Sequence, residues 1–293
     1  MLSALKKIEL RDFILKWGSS MKVILSRKGF DSANGGIVSP VFPNGKMLSF
    51  PIPSKDIEKD CIKYSDLCFD GIGLDELLRN LGYSFENNSE YCHLDPDLDK
   101  SRRKSEIEGW KAAFGQINQA AGYLNNQEVE EGDLFLFFGN FRHIKMINGV
   151  YRYARKSKDA TSDYYGKPFQ AIWGYMQVER KIIEPNEIME YRWHPHACTK
   201  RNDPNGRDKN NTLYIPRRTL SFRPDLPGYG LFDFDEKRVL TMKGKNKATW
   251  KYNAAYDVDT RKNCVKDGEG IYYSGIWQEL VLENAESWAE SLF

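Results

Sequence analysis

Two nearly unbroken apolar runs decide what this chain can fold into. Leu134-Phe135-Leu136-Phe137-Phe138, entered through Gly132-Asp133, is one, and Ala171-Ile172-Trp173-Gly174-Tyr175-Met176-Gln177-Val178 is the other. Both are short, apolar and rich in aromatic residues, the pattern of strands inside a sheet. Lys22-Val-Ile-Leu-Ser26 reads as a third buried strand, and Tyr151-Arg152-Tyr153 as another. Val41-Phe42 and Lys46–Phe50 flank Asn44-Gly45, a pair that tolerates the positive φ of a tight hairpin turn. Between these strands the spacing predicts short helices over 54–65 and 74–81, the second stopped by Gly82. A longer helix is expected around 106–125, with Trp110, Phe114, Ile117, Ala121 and Leu124 on one face. Ile276–Leu282 reads as a last strand, and Asn284 as the cap of a helix running through Phe293. The expected fold is α+β: a single integrated domain over 21–293, with a mixed, partly barrel-like sheet and flanking short helices. A sub-boundary near 126–132 is the alternative. Residues 1–20 read as an appended extension with helical spacing, lacking the apolar core of a secretion signal.

Composition narrows the class of protein. With 293 residues, 41% hydrophobic and 29% charged, the chain can bury a large core, which excludes disorder and collagen. No apolar run approaches the ~20 residues of a membrane helix, so no membrane partner is expected. A net charge of +2 requires any basic footprint for nucleic acid to be local. Five widely spaced cysteines without a Cys-x-x-Cys pair suit a reducing compartment, and the expected location is cytoplasmic.

Chemistry concentrates in a few places. Arg27-Lys28-Gly29-Phe30-Asp31, with Gly35-Gly36, follows the first strand. Two cations beside a carboxylate, among glycines that let backbone approach a ligand, suit phosphate binding by Arg27 and Lys28 and acid/base work by Asp31. An internal Arg–Asp pair in a polar turn is the plainer alternative. His93-Leu94-Asp95-Pro96-Asp97 alternates three metal-capable side chains. An extended segment aims these at one face, where Asp95 and Asp97 could hold a divalent metal, Mg²⁺ or Zn²⁺, with His93 as base or extra ligand. Asp-Pro-Asp is also ordinary turn sequence. His194-Pro195-His196, near Cys198, holds two of only four histidines and can chelate zinc or iron, given a third ligand. Arg142, with the aromatic residues Trp173 and Tyr175 on a later strand, could line a pocket for a planar ring. Residues 199–212 are polar and turn-rich, the composition of a mobile loop.

These segments together resemble the third type of nucleotide-modification-associated domain. The likeness runs through Lys22–Ser32 with Gly35-Gly36 and Ser39-Pro40, through His93-Leu-Asp95-Pro-Asp97, and through Phe114-Gly115-Gln116. It continues in Gly132-Asp133-Leu-Phe with Phe138-Gly139, in Phe141-Arg142 and in His194-Pro195-His196, spanning roughly 21–282. The resemblance implies a bacterial or phage protein placed with systems that modify or process bases in DNA. It falls on the polar positions Arg27, Lys28, Asp31, His93, Asp95, Asp97, Arg142, His194 and His196. The pair of runs at 132–135 and 172–178 is also similar to the two core strands of base-binding barrels of the pseudouridine-synthase-and-archaeosine type.

The expected function is therefore an enzyme acting on a nucleotide or on a base in DNA. In that reading Asp31, His93 and His194 act as acid/base groups. Arg27, Lys28, Arg142, His196, Trp173 and Tyr175 bind substrate, and Asp95 and Asp97 bind metal. Partners are DNA or a nucleotide, and other proteins of a modification or defence operon. Alternatives are a non-catalytic module that binds a modified base, or a defence nuclease directed at modified DNA.

Overall fold

The structure, a computed structural model, describes residues 21–156, 162–251, 253, 255, 264–267, 270–273 and 279–293. The expected extension at 1–20 lies outside the described residues, as do residues 276–278 of the predicted last strand. In chain order the strands are β1 (Val23–Arg27), β2 (Ser39–Val41), β3 (Ile52–Ser54), β4 (Ile62–Lys63), β5 (Cys68–Phe69) and β6 (Ile72–Gly73). There follow β7 (Tyr91–His93), β8 (Phe114–Gln116), β9 (Leu134–Ile147), β10 (Val150–Tyr153), β11 (Phe169–Ile182) and β12 (Thr212–Pro216). The last are β13 (Tyr229–Leu231), β14 (Thr249–Lys251), β15 (Cys264–Asp267), β16 (Gly270–Tyr273) and β17 (Glu279–Leu282). Four α-helices, Leu74–Asn80, Asn118–Asn126, Pro185–Ile188 and Glu286–Glu290, complete the described residues.

The two apolar runs become the 14-residue strands β9 and β11, antiparallel neighbours at the centre of a nine-stranded sheet. Its main path is β17-β1-β9-β11-β12-β8, with β2 and β10 on β9 and β13 on β11. The sheet curls into a half-barrel in one α+β domain. β1 runs parallel to β9, pairing Val23 with Leu134 through to Arg27 with Phe138, so residues before and after 126–132 share one sheet. One face packs Val23, Leu25, Leu136, Ile172 and Trp250 against the C-terminal helix; the other packs Phe114, Phe135, Phe137, Trp173 and Tyr214.

Strand alternation would place Trp173 and Tyr175 on one face. Instead the register jumps from Ile172↔Phe138 to Gly174↔Phe137, a bulge at Trp173 that sends the two rings to opposite cores. Trp173 packs on Phe137 and Tyr175 on Phe232 and Phe293. Both expected base-stacking residues therefore fill the interior.

Three local expectations change. Residues 54–65 form no α-helix: β3 and β4 both pair with β7, a turn at Asp56–Asp60 joins them, and a short 3-10 turn begins only at Tyr64. The helix expected over 106–125 begins only at Asn118, because Phe114-Gly115-Gln116 pairs with Thr212–Tyr214 as a strand. Phe114 buries equally well in either form, and the available sheet edge decides. Residues 199–212 hold a short helical turn, Thr199–Arg201, and the buried Arg201. The hairpin turn stands as read: Gly45 has φ +86°, and Phe42 and Lys46 pair across it.

Candidate active site

A cavity of about 320 Å³ opens where β1 ends. One wall is the loop Arg27–Asn34, and the opposite wall is formed by Asp60, His93, Asp95, Gly115, His196 and Arg201. Sequence places these groups far apart; the sheet gathers them, because β7, β8 and the 194–201 segment all converge on the end of β1.

The loop leaves β1 with the Lys28 amide still bonded to Phe138 O at 2.8 Å. Asp31 then closes a turn: its Oδ1 accepts from the amides of Ala33 and Asn34, both at 2.8 Å, and from the Asn34 side chain at 3.1 Å. Its Oδ2 lies 3.4 Å from Arg27. The carboxylate thus holds the loop, with most of its lone pairs committed. Lys28 reaches inward, with Nζ 4.4 Å from the Phe114 ring centroid and 3.4 Å from Glu279 Oε1. Glu279 also accepts from Ser26 at 3.0 Å and from Gln116, and its other oxygen has no partner among the described residues. Burial pushes the Glu279 carboxyl up despite Lys28 and Ser26.

Across the cavity the proton positions of three histidines follow from their partners. His93 Nδ1 lies 2.7 Å from Asp60 Oδ1, and Asp60 Oδ2 accepts from Arg201 at 2.9 Å. An ionised carboxylate only accepts, so His93 carries a proton on Nδ1, and in its neutral form leaves Nε2 bare. Burial works to raise the Asp60 carboxyl, yet His93 and Arg201 bring it down to about 2. The Asn211 amide donates to His196 O and to Asn202 Oδ1 at 2.9 and 2.8 Å. Its Oδ1 therefore faces His196 Nδ1, 2.7 Å away, and His196 Nε2 is also bare. Burial lowers the pKa of His196 well below the usual value, so the ring is neutral. His194 is arranged the other way: Nδ1 accepts from the His196 amide at 3.3 Å, which puts the hydrogen on Nε2, 3.2 Å from Asp95 Oδ1.

Asp95 completes the wall. Its Oδ1 accepts from Gly115 N at 2.7 Å, and its Oδ2 lies 3.9 Å from His93 Nε2. Burial would raise its pKa, but His194, His196 and Lys28 hold it below the usual carboxylate range. His93, Asp95 and His196 bring one ligand atom each within 4.8 Å of one another.

Of the residues singled out from sequence, Arg27, Lys28, Asp31, His93, Asp95 and His196 line the cavity. His194 stands behind it, against Asp95. Asp97 turns away: β7 ends at His93, and the Asp97 carboxylate is held by Arg103 at 2.7 Å and Trp110 at 3.0 Å, so it forms no pair with Asp95. Arg142 donates to Ala154 O at 2.8 Å and stacks over Tyr153, outside the cavity wall. Sequence reasoning missed Asp60, Arg201, Asn211, Gln116 and Glu279. Their only local signal was charge or amide in segments that read as an exposed helix, a loop and a strand.

The curled α+β sheet thus gathers cationic side chains and a histidine–carboxylate cluster around one cavity. The chain belongs to the nucleotide modification associated domain 3 family, whose model matches residues 22–289. No curated protein and no solved structure matches it. No helix among the described residues is long and apolar enough to cross a membrane.

Proposed function

We propose that the chain is an enzyme acting on a nucleotide or on a base in DNA, within a system that modifies or processes bases. One observation carries the reading. Two cations, Arg27 and Lys28, and a cluster with bare imidazole nitrogens, His93 and His196 beside Asp95, face the same cavity. The cationic wall holds a phosphate, and the His–Asp wall meets the reacting part of the substrate. Asp31 shapes the loop, and His194 positions Asp95.

The alternatives have less support. A binding module would rely on aromatic stacking, but among the described residues lining the cavity there is no Phe, Tyr or Trp. A nuclease using paired metal-binding carboxylates would need Asp97 beside Asp95, whereas Asp97 faces Arg103 and Trp110. Base or nucleotide chemistry is the reading these positions favour.

The test is calorimetric titration of the full chain with nucleoside 5′-monophosphates and with single-stranded and duplex oligonucleotides. At least one should bind, with affinity falling as salt rises. The double variant Lys28→Met/Glu279→Gln removes both partners of a buried pair without stranding either, and should weaken binding about tenfold or more. No binding by the unaltered chain, or unchanged affinity in the double variant, would overturn the proposal.

A further inference from the structure

We propose that His93, Asp95 and His196 bind a single divalent first-row transition ion, with its remaining coordination positions open to the cavity. The inference deepens the enzyme reading but rests on the geometry of three side chains, and its test reads metal rather than turnover.

Each histidine has its Nδ1 proton committed, to Asp60 in one case and Asn211 in the other, and each leaves an Nε2 lone pair. Metal-binding imidazoles are typically fixed in this way, the far nitrogen donating to a carboxylate or amide oxygen. Asp95 divides its work similarly. Oδ1 accepts from Gly115 N and lies 3.2 Å from His194 Nε2, while Oδ2 lies beside His93 Nε2 as a single-oxygen ligand. One ligand atom of each residue lies within 4.8 Å of the others, wider than direct hydrogen bonds and near the spacing of ligands around a single ion. With both Nδ1 atoms engaged elsewhere, the two imidazoles offer Nε2 and the carboxylate offers Oδ2, a donor set that suits one ion.

The ligand types select the ion. Two neutral imidazoles and one carboxylate suit iron, cobalt, nickel or zinc, whereas Mg²⁺ prefers oxygen ligands and retains its water. Two histidines and a carboxylate on one side of an ion leave the other side free for water or substrate. Arg27 and Lys28 line the same cavity. The surrounding charges are balanced: Arg201 is paired with Asp60 and lies 3.9 Å from Asp208, so it does not present an unpaired cation to the ion.

The chain is purified without chelator, its metal content is measured by elemental mass spectrometry, and the stripped chain is titrated with Co²⁺ in the presence of millimolar Mg²⁺. The expected result is one equivalent of Co²⁺, with visible d–d bands, bound despite Mg²⁺. Asp95→Asn and His196→Gln should each weaken Co²⁺ binding at least 100-fold, and Asn211→Ala 10–100-fold, with circular dichroism confirming that each variant is folded. Iron or zinc in the purified protein would each support the site and would separate oxygen-activating from hydrolytic chemistry. No saturable Co²⁺ binding by the unaltered chain, displacement by Mg²⁺, or unchanged affinity in folded His196→Gln would overturn it. Loss of nucleotide binding with metal binding intact would count against the enzyme reading alone.

Discussion

Gly115 lies flat against the imidazole of His196, so close that a Cβ on it would sit 2.3 Å from the ring. The same residue donates its amide to Asp95 at 2.7 Å. One position on β8 thus fixes two members of the cluster, and only glycine fits. Gly115→Ala should cost about 1–3 kcal/mol by overpacking and should displace His196 from its place beside His93. Thermal unfolding together with Co²⁺ titration checks this. A variant with unaltered stability and affinity would show that the ring has room to move.

Asp60 sits between His93 and Arg201 and is 4% exposed. Removing it leaves Arg201 without its closest carboxylate and His93 without its orienting partner. Asp60→Ala should destabilise the fold by about 3–5 kcal/mol, as expected for a broken buried pair. Asp60→Ala combined with Arg201→Met should recover part of that loss, and urea unfolding of the cycle measures how much. Simple additivity would mean that the two side chains do not depend on each other.

Asp31 accepts three hydrogen bonds through one oxygen, a task that an asparagine oxygen can also perform. Asp31→Asn should therefore keep the loop and most nucleotide affinity, whereas Asp31→Ala should weaken affinity several-fold. Equal loss in both variants would assign Asp31 an ionised role at the substrate instead.

His143 gives a pH signature remote from the cavity. It is buried among Tyr165, Phe169 and Phe234, and burial pulls it down to about 4. The unfolded chain binds this proton near pH 6.5 and the folded chain only near 4. Stability is therefore present above pH 6.5 and falls as the pH drops towards 4, by at most about 3 kcal/mol. In His143→Phe that part of the slope should be missing. Parallel slopes for the two proteins between pH 7 and 4 would refute the assignment.

The central strands could be read from the sequence because apolar runs as dense as 134–138 and 171–178 have few alternatives to burial in a sheet. Arg27, Lys28, His93, Asp95 and His196 were visible because each stands in a short polar motif beside a strand. Their supporting residues were not. Asp60 meets Arg201 across 141 positions, and Gln116 meets Glu279 across 163. Nothing local marks either pair. Trp173 shows a different limit: a single bulge reverses the face that alternation assigns, and a candidate stacking ring becomes core. Asp97 fails for a related reason, since alternation along 93–97 requires a strand that stops at His93.

The central claim, that this cavity changes a nucleotide, is tested most directly by nucleoside mass spectrometry. The samples are DNA, RNA and the nucleotide pool of cells expressing the chain or its His196→Gln variant, together with modified phage DNA incubated with each purified protein. A nucleoside gained, lost or shifted in mass with the unaltered chain, and unchanged with the variant, is the predicted result. Identical profiles in every sample would contradict the account.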